Sequence, residues 1–214
     1  QNAADATDAG KFSAEIAPVT IQGRKGATTI SEDEGIRRDT SLEALARLAP
    51  AFEQEGKVTA GNAPGMNDGA AALVVASRAY AEQNGHAPLA RVVAYGQAAV
   101  EPSWIFYAPV KAIPVALARA GWTVDDVDLF EINEAFAAQV LADIKGLARE
   151  GHPIPDEKIN VNGGAIALGH PLGASGARVL ITLIHALRDR GLKRGVAALC
   201  LGGAEAVALA VEIE

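Results

Sequence analysis

Apolar positions fall at helical spacing from Ser41 to about Glu55, with Leu42, Leu45, Leu48 and Phe52 on one face. The stretch from Gly69 to Gln83 is almost wholly apolar in its first turns, and Asn67 or Asp68 precedes it as a cap, which predicts a helix buried at that end. Beyond it the pattern alternates. Ala90–Ala98 reads as a strand, Pro109–Ala120 as a helix and Asp128–Ile132 as a short strand, followed by a helix over Glu134–Arg149. Lys158–Val161 is strand-like, Pro171–Arg190 is a long helix behind a glycine-rich turn, and Val196–Leu201 and Ala206–Ile213 are two strands joined by a tight turn. Most of these strands are apolar on both faces, so the pattern predicts an α/β fold: a mixed sheet covered by helices on both sides. Residues 1–39 read as loop-rich apart from one extended run, Ile16–Ile21, and a domain boundary falls near residues 65–69.

Composition narrows the chemistry. Half of the residues are hydrophobic but only 5% are aromatic, so the core is built from Ala, Val, Leu and Ile. A net charge of −7 argues against a nucleic-acid surface. The single cysteine, Cys200, excludes an intrachain disulfide framework and a Cys-rich metal site. No apolar run has the length of a membrane span, and no signal peptide is evident. The start at Gln1, inside an Ala/Asp/Thr-rich stretch, reads as a cleavage boundary.

Three turns could carry chemistry. In Glu131-Ile132-Asn133-Glu134-Ala135-Phe136 a strand ends in acidic and amide residues as a helix begins; Asn133 either caps that helix or holds a water. The run Asn162 to Arg178 sets His170 beside Pro171 at a helix start, where the partial positive charge favours neutral imidazole, a form able to act as a general base. Its small residues admit a ligand or serve close packing. In Cys200-Leu201-Gly202-Gly203-Ala204, glycine N–H groups beside a thiol could form an oxyanion hole, or the thiol is a buried small hydrophobe. All three turns fall at strand ends. Together they suit acid–base work and oxyanion stabilisation on a thioester.

Four stretches, Thr59-Ala60-Gly61-Asn62 with Asn67-Asp68-Gly69-Ala70-Ala71, Asn133-Glu134-Ala135-Phe136, Gly164–Arg178 and Cys200-Leu201-Gly202-Gly203, resemble the thiolase family in order and spacing. The resemblance implies the C-terminal part of a thiolase-like fold: residues 1–66 as part of a coenzyme A-binding loop domain, and 67–214 as a C-terminal half within a five-layered αβαβα arrangement. It implies acyl transfer between coenzyme A thioesters, by Claisen condensation or thiolytic cleavage. His170 would activate a nucleophilic cysteine, Asn133 would hold a water in an oxyanion hole, Cys200 would move the proton on the α-carbon, and the N–H of Gly202 would join a second oxyanion hole. Arg37, Ala63, Phe52 and Phe136 would bind substrate. The chemistry would use no metal and no cofactor, coenzyme A being a substrate.

Cys200 matches the family's proton-transferring cysteine, so the resemblance also implies a complementary N-terminal segment that supplies the nucleophile. A cytoplasmic homodimer or homotetramer is expected. Three departures stand out: Ala204-Glu205-Ala206 where more glycine is usual, Pro64 in place of a serine, and bulky residues over Trp104–Pro109. The first two keep open a non-catalytic acyl-CoA-binding relative, and the third implies an altered acyl pocket. A decarboxylating or hydroxymethylglutaryl-type condensing enzyme is disfavoured by the Cys200 match.

Overall fold

A computed structural model describes residues 1–214. Its centre is a four-stranded sheet in the order β3-β6-β5-β4. The strands are β3 (Ala90–Ala99), β4 (Leu129–Ile132), β5 (Arg194–Leu201) and β6 (Glu205–Ile213). β3 and β5 flank β6 antiparallel, while β4 runs parallel to β5 with Ile132 opposite Ala198. The sheet is therefore mixed, as the apolar runs predict.

Helices cover both faces. α4 (Pro109–Ala120) and α5 (Ala137–Arg149) bury Ile113, Leu117, Val140 and Leu147 against Phe130, Ile132, Ala198, Ala206 and Ala208. On the other face α7 (Ser175–Arg190) buries Val179, Leu183 and Leu187 against Leu129, Ala197 and Val211. Strand residues alternate between these two cores, the period-2 rule of a sheet buried on both sides. Small side chains let the layers close in: a Cβ on Gly96 would stand 2.6 Å from the backbone nitrogen of Ala116 in α4. α4 accepts Pro109 in its first turn and stops at Gly121, in the left-handed region at φ 71°. Thr123 and Asp126 close a capping box around the short 3₁₀ turn that follows.

The first third departs from the sequence reading. α1 (Asn2–Asp8) is a helix, and a hairpin of β1 (Val19–Gly23) and β2 (Gly26–Ile30) replaces the single extended run. α1 is tied to the body of the fold: Ala3, Ala4 and Ala6 are buried, and Gly163 packs on Ala3. The helix expected over Ser41–Glu55 is only α2 (Leu42–Ala46). Pro50 disfavours a helical residue before it, and pairs with Thr59 instead. Leu45 and Leu48 close over Gly61, but Phe52 falls beyond the helix and is 81% exposed.

The buried helix expected from Gly69 shrinks to α3 (Arg78–Gln83), capped by the Ser77 hydroxyl. Residues 66–76 have no regular structure and form no backbone–backbone hydrogen bond, and Val74 is 99% exposed. An unbroken apolar run has neither a 3.6 nor a 2 period, so sequence could not decide its conformation. The strand expected over Lys158–Val161 is reduced to a single bridge, Ile159 to Phe130. α6 (Ala165–Leu168) is a single turn inside the glycine-rich run.

Candidate active site

The carboxyl ends of β4 and β5 lie side by side and point the same way. Asn133 follows β4 directly, and its backbone N–H donates to the Ala198 carbonyl at 2.9 Å, which prolongs the β4–β5 ladder by one residue. Cys200 is two residues beyond Ala198 on β5 and half-buried. The amide and the thiol thus leave adjacent strands at one sheet edge.

His170 comes to the same edge from the glycine-rich turn. Its Nε2 is 3.5 Å from the Asn133 amide nitrogen, and its Nδ1 is 2.6 Å from the Ser175 hydroxyl. The Ser175 hydroxyl donates to the Pro171 carbonyl at 3.1 Å, so its proton is committed and it accepts from Nδ1–H. That fixes the tautomer: the Nε2 lone pair faces Asn133. Burial, and then the Arg178 guanidinium, hold the imidazole pKa below its ordinary value, which keeps it neutral. Asn133 is buried, and its side-chain oxygen has no protein partner. An amide oxygen left free in this way can accept a hydrogen bond from a water or a ligand.

Two further contacts hold these turns. The Glu134 carboxylate accepts from the Asn160 amide at 3.1 Å and from the Ile166 backbone at 3.0 Å, bridging the Asn133 turn to the His170 turn. Gly164 must lack a side chain because a Cβ there would fall on that carboxylate. The loop Thr59–Gly65 is anchored to both: the Asn62 carbonyl accepts from Ala137 N–H at 2.9 Å, and the Gly65 carbonyl accepts from His170 N–H at 3.1 Å.

Near His170 lies a charged cluster in which only Glu131 is fully buried. Arg178 bears on Glu15, Asp33 and Glu131, yet two of its nitrogens have no hydrogen-bond partner. Burial pushes the Glu131 carboxyl up to about 8 and that of Glu15 to about 7, with Arg178 opposing both. Burial also raises the Cys200 thiol to about 11, with the charge of Asp143 adding to the effect. Cys200 therefore rests as the protonated thiol.

A cavity of about 550 Å³ opens beside the glycine-rich turn, lined in part by Arg37, Leu45, Leu48, Ala63, Asn67 and Gly169. Of the residues expected to bind substrate, Arg37 and Ala63 line it. Phe136 lies apart from it, its ring edge-on to Phe106 with centroids 5.2 Å apart. Phe52 lies in neither place. Gly202 and Gly203 form the exposed β5–β6 turn, and Gly203 and Ala204 both take positive φ, 88° and 63°. Sequence reasoning gave Ser175, Arg178 and Asp143 no role. The one signal for Asp143 was its spacing of four from Gln139 on a helix.

A strand-end amide, an imidazole of fixed tautomer and a thiol at one edge of an α/β/α sandwich form a set of groups able to do acid–base chemistry. Profiles of the thiolase C-terminal and N-terminal domains match residues 86–213 and 1–79. The chain belongs to the thiolase family. It is 53% identical over 213 residues to an acetyl-CoA acetyltransferase of Chromobacterium violaceum, covering 99% of this chain and 53% of that protein. It is 52% identical over 215 residues to the cytosolic acetyl-CoA acetyltransferase of Mus musculus, covering 99% and 53%. The crystal structure of the Bacillus anthracis acetyl-CoA acetyltransferase superposes with a TM-score of 0.94 at 46% identity, covering 100% of this chain and 53% of that one. Human mitochondrial 3-ketoacyl-CoA thiolase superposes at 0.89 and 41%, with coverage of 100% and 53%. The chain spans about half the length of the relatives it matches. The expectation of a purely C-terminal part is corrected in one respect: residues 1–79 match the N-terminal domain profile.

Proposed function

We propose that this chain carries the acid–base half of a thiolase that transfers acyl groups between coenzyme A thioesters. The observation that carries the reading is the His170–Asn133 pair at the sheet edge where Cys200 ends the neighbouring parallel strand. In this reading His170 Nε2 takes the proton of an attacking thiol and, with Asn133, steadies the oxygen of the thioester. Cys200 exchanges a proton with the α-carbon. Its protonated resting state suits the cleavage direction, in which the departing enolate takes up a proton. The N–H of Gly202 serves a second oxyanion. Arg37 and Ala63 hold the coenzyme A moiety in the cavity they line, and Phe136 borders the acyl group.

The nucleophilic cysteine comes from a complementary thiolase segment, because Cys200 is the only thiol in the chain. Residues 66–76, apolar and without backbone hydrogen bonds, support such a partner: unpaired main chain beside exposed valines is a surface suited to an added strand. The assembled enzyme is a homodimer or homotetramer in the cytoplasm and needs no metal or cofactor. No helix is long and apolar enough to cross a membrane.

The test combines the chain with a family segment that carries the nucleophile and follows coenzyme A-dependent cleavage of acetoacetyl-CoA and longer 3-ketoacyl-CoA thioesters. Turnover that falls at least a hundredfold in a folded His170→Ala variant is expected. A folded two-part assembly that cleaves none of these thioesters refutes the proposal.

A further inference from the structure

α5 presents three buried residues to the sheet at helical spacing: Val140, Asp143 and Leu147. Val140 and Leu147 join the apolar core that also contains Ala198, Ala206 and Ala208. Asp143, between them, is fully buried in an apolar stripe, where a carboxyl is costly unless it has work to do. Cys200 shares this face of the sheet: it is two residues from Ala198 on β5, and its register partner on β6 is Ala206.

One Asp143 oxygen accepts from the Gln139 side-chain amide. Gln139, itself buried, accepts through its own carbonyl from Ala135 N–H at 3.0 Å. This ties the helix back to the residue before its N-cap, Phe136, which has no polar side chain of its own to cap the first turn. The hydrogen-bonded chain Asp143–Gln139–Ala135 ends two residues from Asn133. The second Asp143 oxygen is buried without any partner.

We propose that Asp143 is a positioning residue for the acid–base site: it orients Gln139 to hold the Asn133 turn, and its charge, on the same face of the sheet, helps keep Cys200 protonated across the apolar layer between helix and sheet. The proposal rests on the acyl-transfer reading only for its use, because both effects can be read without turnover. Lys145 and Arg149 of α5 are exposed to solvent. Lys111 of α4 and Glu150 pair at 2.7 Å, and Tyr107, from the 3₁₀ turn Pro102–Tyr107, lays its ring on Gly146. Burial raises the Asp143 carboxyl to about 7, against the opposing Gln139 hydrogen bond. When Cys200 ionises, Asp143 is already charged and opposes it.

The experiment measures iodoacetamide alkylation of Cys200 against pH, by peptide mapping, in the wild-type chain and in Asp143→Asn. The variant keeps an acceptor for Gln139 but loses the charge. Alkylation roughly tenfold faster at pH 9 is expected, the effect of one charge removed across a poorly screened layer. An unchanged profile overturns the coupling to Cys200. Hydrogen exchange at Ala135 N–H tests the positioning: protection holds in Asp143→Asn and drops in Asp143→Val, and equal protection in both overturns it. If Asp143→Asn does not fold, the ¹³Cβ shift of Cys200 in the wild-type chain decides, since a thiol that titrates at the ordinary cysteine value overturns the coupling.

Discussion

Glu131 offers a test of how this fold tolerates buried charge. It sits on β4 two residues after Leu129 and so faces α7, fully enclosed, with one carboxyl oxygen unpartnered. Its pKa rises from an ordinary 4.5 to about 8 because burial penalises the charge more than Arg178 relieves it. A group raised on folding binds more protons in the native state. Its contribution to stability is therefore complete below about pH 4.5 and is lost as pH rises through about 8. Integrating that linkage from pH 5 to pH 8 gives a loss of about 3 kcal/mol for this one group. Glu131→Gln keeps the shape and removes the titration. Urea unfolding of both proteins at pH 5 and pH 8 should show the variant gaining on the wild type by about 3 kcal/mol between the two pH values. If the difference is constant with pH, or moves against the variant, Glu131 is an ionised partner of Arg178 and the burial argument fails.

Three more perturbations follow from the same structure. Ser175→Ala leaves His170 Nδ1–H and the Pro171 carbonyl without their hydroxyl, so ¹⁵N spectra should show Nδ1 protonation falling from nearly complete toward a mixture, with about 1–3 kcal/mol lost in unfolding experiments; an unaltered spectrum removes Ser175 from tautomer control. Leu183→Ala empties a fully buried position of α7 over the sheet and should lower unfolding free energy by about 2–5 kcal/mol. Gly96→Ala drives a methyl to within 2.6 Å of the α4 backbone, and a melting temperature equal to wild type would show that α4 can shift freely.

The C-terminal two-thirds was legible because its signals are local and agree with one another. Pro109 and Gly121 bracket α4 at the predicted bounds, and the burial of β4, β5 and β6 on both faces follows from their mostly apolar runs. The His170 turn was legible too, since glycine and proline punctuate it, and the Asn133 turn because polar residues interrupt an apolar run. The first third was not. Leu42 to Phe52 has the spacing of a helix, but a proline two residues before Phe52 and a loop closing over Gly61 override it. The run after Gly69 could be read only by what it pairs with, and within this chain its main chain pairs with nothing. Asp143 escaped notice because a single acid in a helix reads as surface until the sheet beneath it is known.

Two carbonyls, those of Asn62 and Gly65, tether one short loop to the first turn of α5 and to the backbone of His170. That loop also walls the cavity. A molecule seated there thus touches the same rigid frame that aims the imidazole, and any tilt of the wall is felt at the nitrogen lone pair. On the proposed acyl-transfer reading, lengthening the loop by even one residue would uncouple grip from chemistry: substrates should still dock while the reacting groups fall out of line.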